Sequence, residues 1–348
     1  MRVRLTLTVR AGESGRPIEA GHRVHFSIRL LGAVAAAAML APAPAQPSGP
    51  PPKHESPWPG LASGTTAGEI GASLDRGPSL ERGRPARAEL ARHRLLTDAL
   101  AGLAGQRRGV VDAYVVVVGL DSDPVFGREA REAGRVLTRR FDAGGRTLVL
   151  AGGDGRGGAA LPMGSLSALS LALARVAELM DPEEDVLVLY STSHGAPYGI
   201  TYHDGDEGYG VLTPARLAGL LDELRLRNRL LILNACYSGI FVPALRGDRT
   251  ALFTAAAADR TSFGCSAEND WTFFGDALIN RALRKPLPLE VASSEAIALV
   301  GQWEMSKSVE ASYPQASIGS RVGAWLKPLE ARMPKTASQP VGKPSAGE

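Results

Sequence analysis

Two short stretches hold residue types suited to nucleophilic chemistry: Thr192-Ser193-His194-Gly195 and Asn234-Ala235-Cys236-Tyr237-Ser238-Gly239, each following an apolar run, DVLVLYS and LLILN. A thiol attacks as its thiolate, so a nucleophilic cysteine needs an electropositive setting. A strand end that opens into a helix N-terminus supplies one through the helix dipole and free amides. Cys236 has that context. His194 is a candidate general acid and base, since an ordinary imidazole titrates near pH 6.5. Gly195 carries no Cβ, so its backbone N–H, with that of Cys236, can approach a developing oxyanion closely.

Elimination points the same way. Of six histidines, His22, His25 and His54 lie in the leader or the Pro-rich tract that comes after it, and His93 lies on a peripheral helix. His203 belongs to a hairpin, which leaves His194 at a strand end. The only other cysteine is Cys265, so neither a disulfide framework nor a thiolate zinc site can be built, and pairing the two would remove the nucleophile. No cofactor or metal is implied.

The elements that must position this pair alternate in type. Apolar, β-branched runs predict strands at 114–119, 147–151, 185–191, 230–234 and 251–256, and 3.6-residue periodicity predicts helices at 86–104, 126–141, 165–180, 214–226, after Ser238, and at 271–283. An Asp-Gly turn within 198–212 predicts a β-hairpin. This alternation implies βαβ crossovers and a three-layer α/β/α sandwich around a mostly parallel sheet. His194 and Cys236 stand forty-two residues apart, about one crossover, so they should meet at the same carboxyl edge of that sheet, where functional groups collect in open parallel sheets.

The coupling of Ser193-His194-Gly195 to Asn234-Ala235-Cys236-Tyr237-Ser238-Gly239, each after an apolar strand, resembles the legumain-like (hemoglobinase) cysteine peptidases of bacterial type. That resemblance, from Tyr114 to about Leu283, implies a caspase-like fold, Cys236 as nucleophile, His194 as general acid/base and Gly195 as oxyanion donor. It further implies substrate-binding roles for Thr261 and Ser262 in a wall of the S1 pocket, and for Arg128 and Asp276, which together could hold a carboxamide. The chain departs from the family at Asn234 and Tyr237, where legumains carry acidic residues. Cys265 fits either a pocket wall or the core, with the core preferred.

Composition sets the limits of the folded part. Residues 22–45 combine a basic flank, an apolar run Leu30–Leu40 and an Ala-Pro-Ala site, the pattern of a cleavable leader over 1–45. Met1 lies far upstream of that run, with Val24 as an alternative start. Pro/Gly-rich residues 46–87 read as linker or propeptide, 88–326 as the peptidase domain and 327–348 as a disordered tail. A secreted or periplasmic location is implied, with no stable membrane span once the leader is cleaved and a tether if it is not. The formal charge is +3 and no basic, aromatic-interleaved stripe runs through the middle, so a nucleic-acid partner is unsupported and a peptide or protein substrate is expected. The Gly152–Gly158 run lacks a phosphate-loop ending, and Asp204, Asp206 and Glu207 lack a calcium-loop pattern. The chemistry expected is endopeptidase hydrolysis through an acyl-enzyme. The competing readings are transpeptidation by the same pair and a non-catalytic binding module.

Overall fold

The computed structural model describes residues 53–156 and 160–346, so the expected leader lies outside the described residues. In chain order the elements are α1 (Ala67–Asp75), β1 (Ser79–Glu81), α2 (Ala86–Ala101), β2 (Ala113–Gly119), α3 (Pro124–Arg140), β3 (Thr147–Leu150), α4 (Leu166–Leu179) and β4 (Val186–Thr192). Next come β5 (Gly195–Ala196), β6 (Gly199–Asp204), β7 (Gly208–Leu212), α5 (Pro214–Glu223), β8 (Arg229–Asn234), α6 (Val242–Leu245) and β9 (Thr250–Thr254). The last are α7 (Phe273–Gly275), α8 (Leu289–Ser306), β10 (Gln315–Ile318) and α9 (Gly323–Arg332).

The main sheet runs β10-β9-β8-β4-β2-β3, parallel except where β10 meets β9. Its central strands read as unbroken apolar runs because helices cover both faces. On one face Val115, Val117, Val188, Tyr190 and Ile232 pack with α3, α8 and α9. On the other, Tyr114, Val116, Leu187, Leu189 and Leu231 pack with α4 and α5. Leu187 and Leu189 are fully buried, so truncating either to alanine should cost about 2–5 kcal/mol. Helix starts are set by local caps: the hydroxyls of Ser165 and Thr213 accept from the amides of Ala168 and Arg216, and Pro214 opens α5 with a fixed φ.

A smaller antiparallel sheet, β1-β7-β6-β5, grows from the loop after β4. Its β6–β7 hairpin turns at Asp204-Gly205, where Gly205 has φ 53°, a left-handed conformation cheap only for glycine. After β2 the chain runs beside β6 through an Asp121–His203 bridge, which ties the hairpin to the carboxyl edge of the main sheet.

Three expectations need correction. The packed body is wider than 88–326, because α1 is closed by a reciprocal Thr66–Glu69 capping box and β1 pairs with β7. Nor are residues 327–346 a disordered tail. Residues 323–332 form α9, and beyond it the backbone bonds buried groups: Trp271 Nε1 donates to the Val341 carbonyl at 2.8 Å, the Lys343 amide to Asp270 at 2.7 Å and the Ser345 amide to Asp276 at 3.0 Å. The expected helix at 271–283 is three pieces, α7, a π-helical turn Asp276–Arg281 and a 3-10 turn Ala282–Arg284. Among the described residues no helix is long and apolar enough to cross a membrane.

Candidate active site

β4 and β8 are parallel neighbours whose last rung joins Thr192 to Asn234. His194 and Cys236 therefore each stand two residues past the same rung, at the carboxyl edge of the sheet. The Ser193 amide donates to the Asn234 carbonyl at 3.2 Å, carrying the pairing beyond the strands. The amide and hydroxyl of Thr201 both bond the His194 carbonyl at 3.0 Å and fix its backbone. Gly195 meets the second loop directly. A Cβ there would fall 2.0 Å from the Cys236 carbonyl oxygen and 3.0 Å from its nitrogen, so no other residue fits.

Past Cys236 the chain turns sharply. Tyr237 has φ 58° and ψ 11°, a left-handed conformation uncommon outside glycine that marks local strain. Its amide bonds the Arg260 carbonyl at 2.7 Å. The chain then forms a 3-10 turn, Ser238–Phe241, and the four-residue α6, less than the expected helix, so the dipole behind Cys236 is small. A direct donor takes its place: the Ser262 amide points at Cys236 Sγ at 3.2 Å, with the Ser262 carbonyl and hydroxyl 3.6 Å from the sulfur. These contacts hold the sulfur against the 261–262 loop. Both cysteines are free and half-buried.

His194 has a partner that the sequence pattern does not reveal. Its Nε2 lies 3.1 Å from Asp123 Oδ2, and its ring meets Phe126 edge-on at 5.0 Å. Burial, the largest single influence, pulls its pKa down. It is outweighed by hydrogen bonds to Asp123 and to the Cys265 thiol and by the charge of Asp121, so the pKa rises to about 10. The His194 hydrogen bond in turn holds the Asp123 pKa below the usual carboxylate range. Asp121 behaves oppositely, its burial pushing the pKa up to about 6. The signal for Asp123 is its place in Asp121-Ser122-Asp123-Pro124 at the carboxyl end of β2, the third strand end of the same edge. Cys265, expected in the core, is instead half-buried, and it raises the His194 pKa.

Beneath the pair lies a buried polar pedestal. Glu129 on α3 accepts from Tyr190 Oη at 2.5 Å, Thr192 Oγ1 at 2.6 Å, Asn234 Nδ2 at 2.6 Å, and the amide and hydroxyl of Thr272 at 2.8 and 2.9 Å. Burial raises its pKa against these donors. Glu129 thus joins α3, β4, β8 and the start of α7 under the site. It places a carboxyl group beside Asn234, the position where the sequence departs from the legumain pattern. Gly275 makes room, since a Cβ there would lie 2.2 Å from Glu129 Oε2.

The expected pocket residues divide. Ser262 sits on the Cys236 sulfur, and Thr261 is exposed beside it on the same loop. Arg128 and Asp276 do not form a carboxamide site. The Arg128 guanidinium is spent on the carbonyls of Ala267, Asn269 and Asp154 and on Asp270 at 3.0 Å, which fastens the 264–270 loop. Asp276 is fully buried and accepts from Asn280 at 2.8 Å, Arg281 at 3.3 Å and Ser345. A carboxylate with no exposure and four donors has nothing left to offer a substrate.

Comparison with known proteins adds to this geometry. No curated protein matches the chain. Among solved structures, caspase-1 from Spodoptera frugiperda is similar, with 14% identity over 62% of this chain and 88% of that one at a TM-score of 0.41. Residues 165–317 match the model of the Peptidase C13 family. That segment carries both His194 and Cys236, so the match supports a legumain-like cysteine peptidase.

Proposed function

We propose that the protein is an endopeptidase that cleaves peptide bonds through an acyl-enzyme on Cys236, with His194 as general acid and base and Asp123 as its anchoring carboxylate. The observation that carries this reading is the contact of the Gly195 backbone with that of Cys236, which joins the two loops of the pair in a form that only a glycine allows. Asp123 keeps the His194 imidazole charged at neutral pH, and the Ser262 amide holds the Cys236 sulfur in place. The thiolate attacks the scissile carbonyl carbon, and the carbonyl electrons move to oxygen, met by the backbone amides of Gly195 and Cys236. As the C–N bond breaks, His194 gives its proton to the leaving amine. Neutral His194 then takes a proton from water, the hydroxide adds to the thioester, and collapse expels the thiolate beside charged His194 and releases the acid. Arg128 and Asp276 are engaged elsewhere, so no asparagine preference is assigned. The leader-like residues 1–45 support action outside the cytoplasm.

A peptide library carrying an electrophilic warhead tests the assignment. Covalent labelling at Cys236 is expected, lost in Cys236→Ala and slowed by at least about a hundredfold in His194→Ala. Labelling that persists in Cys236→Ala, or falls on Cys265, would overturn it. Mass spectrometry of products made with added amine separates hydrolysis from ligation, and ligated product alone would replace hydrolysis with transpeptidation.

A further inference from the structure

A second group of side chains at this edge belongs to no step above. Asp121, just past β2, is 5% exposed, and its Oδ1 accepts the Asp123 amide at 2.8 Å. Its Oδ2 is buried and has no hydrogen-bond partner among the described residues. His203 on β6 lies alongside through the Asp121–His203 bridge, with Nδ1 4.0 Å from Asp121 Oδ2, and its Nε2 is likewise buried without a partner among those residues. The His54 ring stacks on that of His203, centroids 3.6 Å apart and planes within 20°, and its Nε2 is 3.5 Å from Asp121 Oδ1 and 3.0 Å from Ser122 Oγ. One ligand atom from each of His54, Asp121 and His203 lies within 4.8 Å of the others. A buried carboxylate oxygen and a buried imidazole nitrogen without partners each cost about 1–3 kcal/mol unless something satisfies them.

We propose that His54, Asp121 and His203 form a binding site for a divalent transition-metal ion of the zinc class. Two imidazole nitrogens and one carboxylate oxygen are the ligand types that such borderline ions take, whereas magnesium and calcium favour all-oxygen sets. Three protein ligands leave a fourth position for water. The ion would do two things. It would fasten the segment carrying His54, which also bonds the hairpin tip through Ser56 and Asp206 at 2.7 Å, and it would stand one carboxylate away from His194. The scarcity of cysteine argues only against a thiolate site, and His54 sits in a Pro-rich tract whose composition gives no hint of a ligand.

The test uses the full chain carrying Cys236→Ala, which removes the competing thiol, stripped of metal and titrated with zinc ions against a chromophoric chelator. One equivalent is expected to bind, at least about tenfold more weakly in His54→Ala and in His203→Ala, since even outer-shell losses cost ten- to a hundredfold. Cobalt ions should give ligand-field bands without thiolate charge transfer. His203 is packed against Tyr209 at 5.0 Å and its variant can unfold, but His54 lies on no helix or strand, so His54→Ala with unchanged circular dichroism decides. Absence of stoichiometric binding would overturn the site. So would full affinity in His54→Ala, which would move the ion to Asp121, Asp123 and His194, or a thiolate band, which would move it to Cys265.

Discussion

Asp123→Asn removes one charge from the His194 environment while preserving shape. At 3.1 Å, two unit charges interact by about 1.3 kcal/mol in bulk water and about 5 kcal/mol at an effective dielectric of about 20. The side chains are 39% and 33% exposed, so solvent screens the pair and the lower figure is the better guide. The His194 pKa should then fall by about one to two units. The sign is set by proton linkage. With its pKa raised to about 10, folded His194 holds its proton where the unfolded chain has lost it. The stabilisation is therefore complete below about pH 6.5 and disappears as pH rises through about 10. In Asp123→Asn the loss starts at lower pH. Imidazole NMR titration, with His194→Ala assigning the signal, gives the midpoint, and the pH profile of Cys236 alkylation by iodoacetamide, run with chelator present, gives its consequence. A midpoint that stays put or rises would refute the ion pair as the cause of the raised pKa.

Gly195→Ala should lower stability by at least about 1–3 kcal/mol and cut Cys236 labelling, because its Cβ would fall 2.0 Å from a backbone oxygen; urea melts and probe labelling check both. Glu129→Gln turns an amide toward groups that now donate to a carboxylate, at about 1–3 kcal/mol, read as a lower denaturation midpoint at pH 7. A chain ending at Lys335 loses the Ser345 and Lys343 amides from Asp276 and Asp270 and uncovers Trp271. Its thermal midpoint should drop by several degrees, as expected for about 1–3 kcal/mol. Cys265→Ala should lower the His194 pKa, by removing a partner that raises it, yet leave Cys236 alkylation in place by peptide mapping.

The parts legible in the sequence were those written in periodicity and chain order. Buried parallel strands announce themselves as apolar runs, and a histidine and a cysteine one crossover apart at two such ends come together on adjacent strands. Asp123 escaped because an acid after a strand has no periodic signature, and its meaning lies in a partner seventy-one residues away. Residues 333–346 escaped for a different reason. Their Pro-rich composition excludes helix and strand, but a segment without either can still be fixed when its backbone amides find buried acceptors, here Asp270 and Asp276. Arg128 and Asp276 entered as pocket residues through the family resemblance alone, and the structure engages both within the chain.

The Glu129 pedestal also bears on the order in which this molecule comes together. Its hydrogen bonds bridge 61, 63, 105 and 143 residues of chain, and contacts of such range form slowly because the entropy of closing the loops is lost before the contacts are gained. The ground on which His194 and Cys236 stand is complete only once α3, β4, β8 and the residues before α7 have all assembled. A nascent or half-folded chain thus has a cysteine and a histidine but no platform to set them side by side.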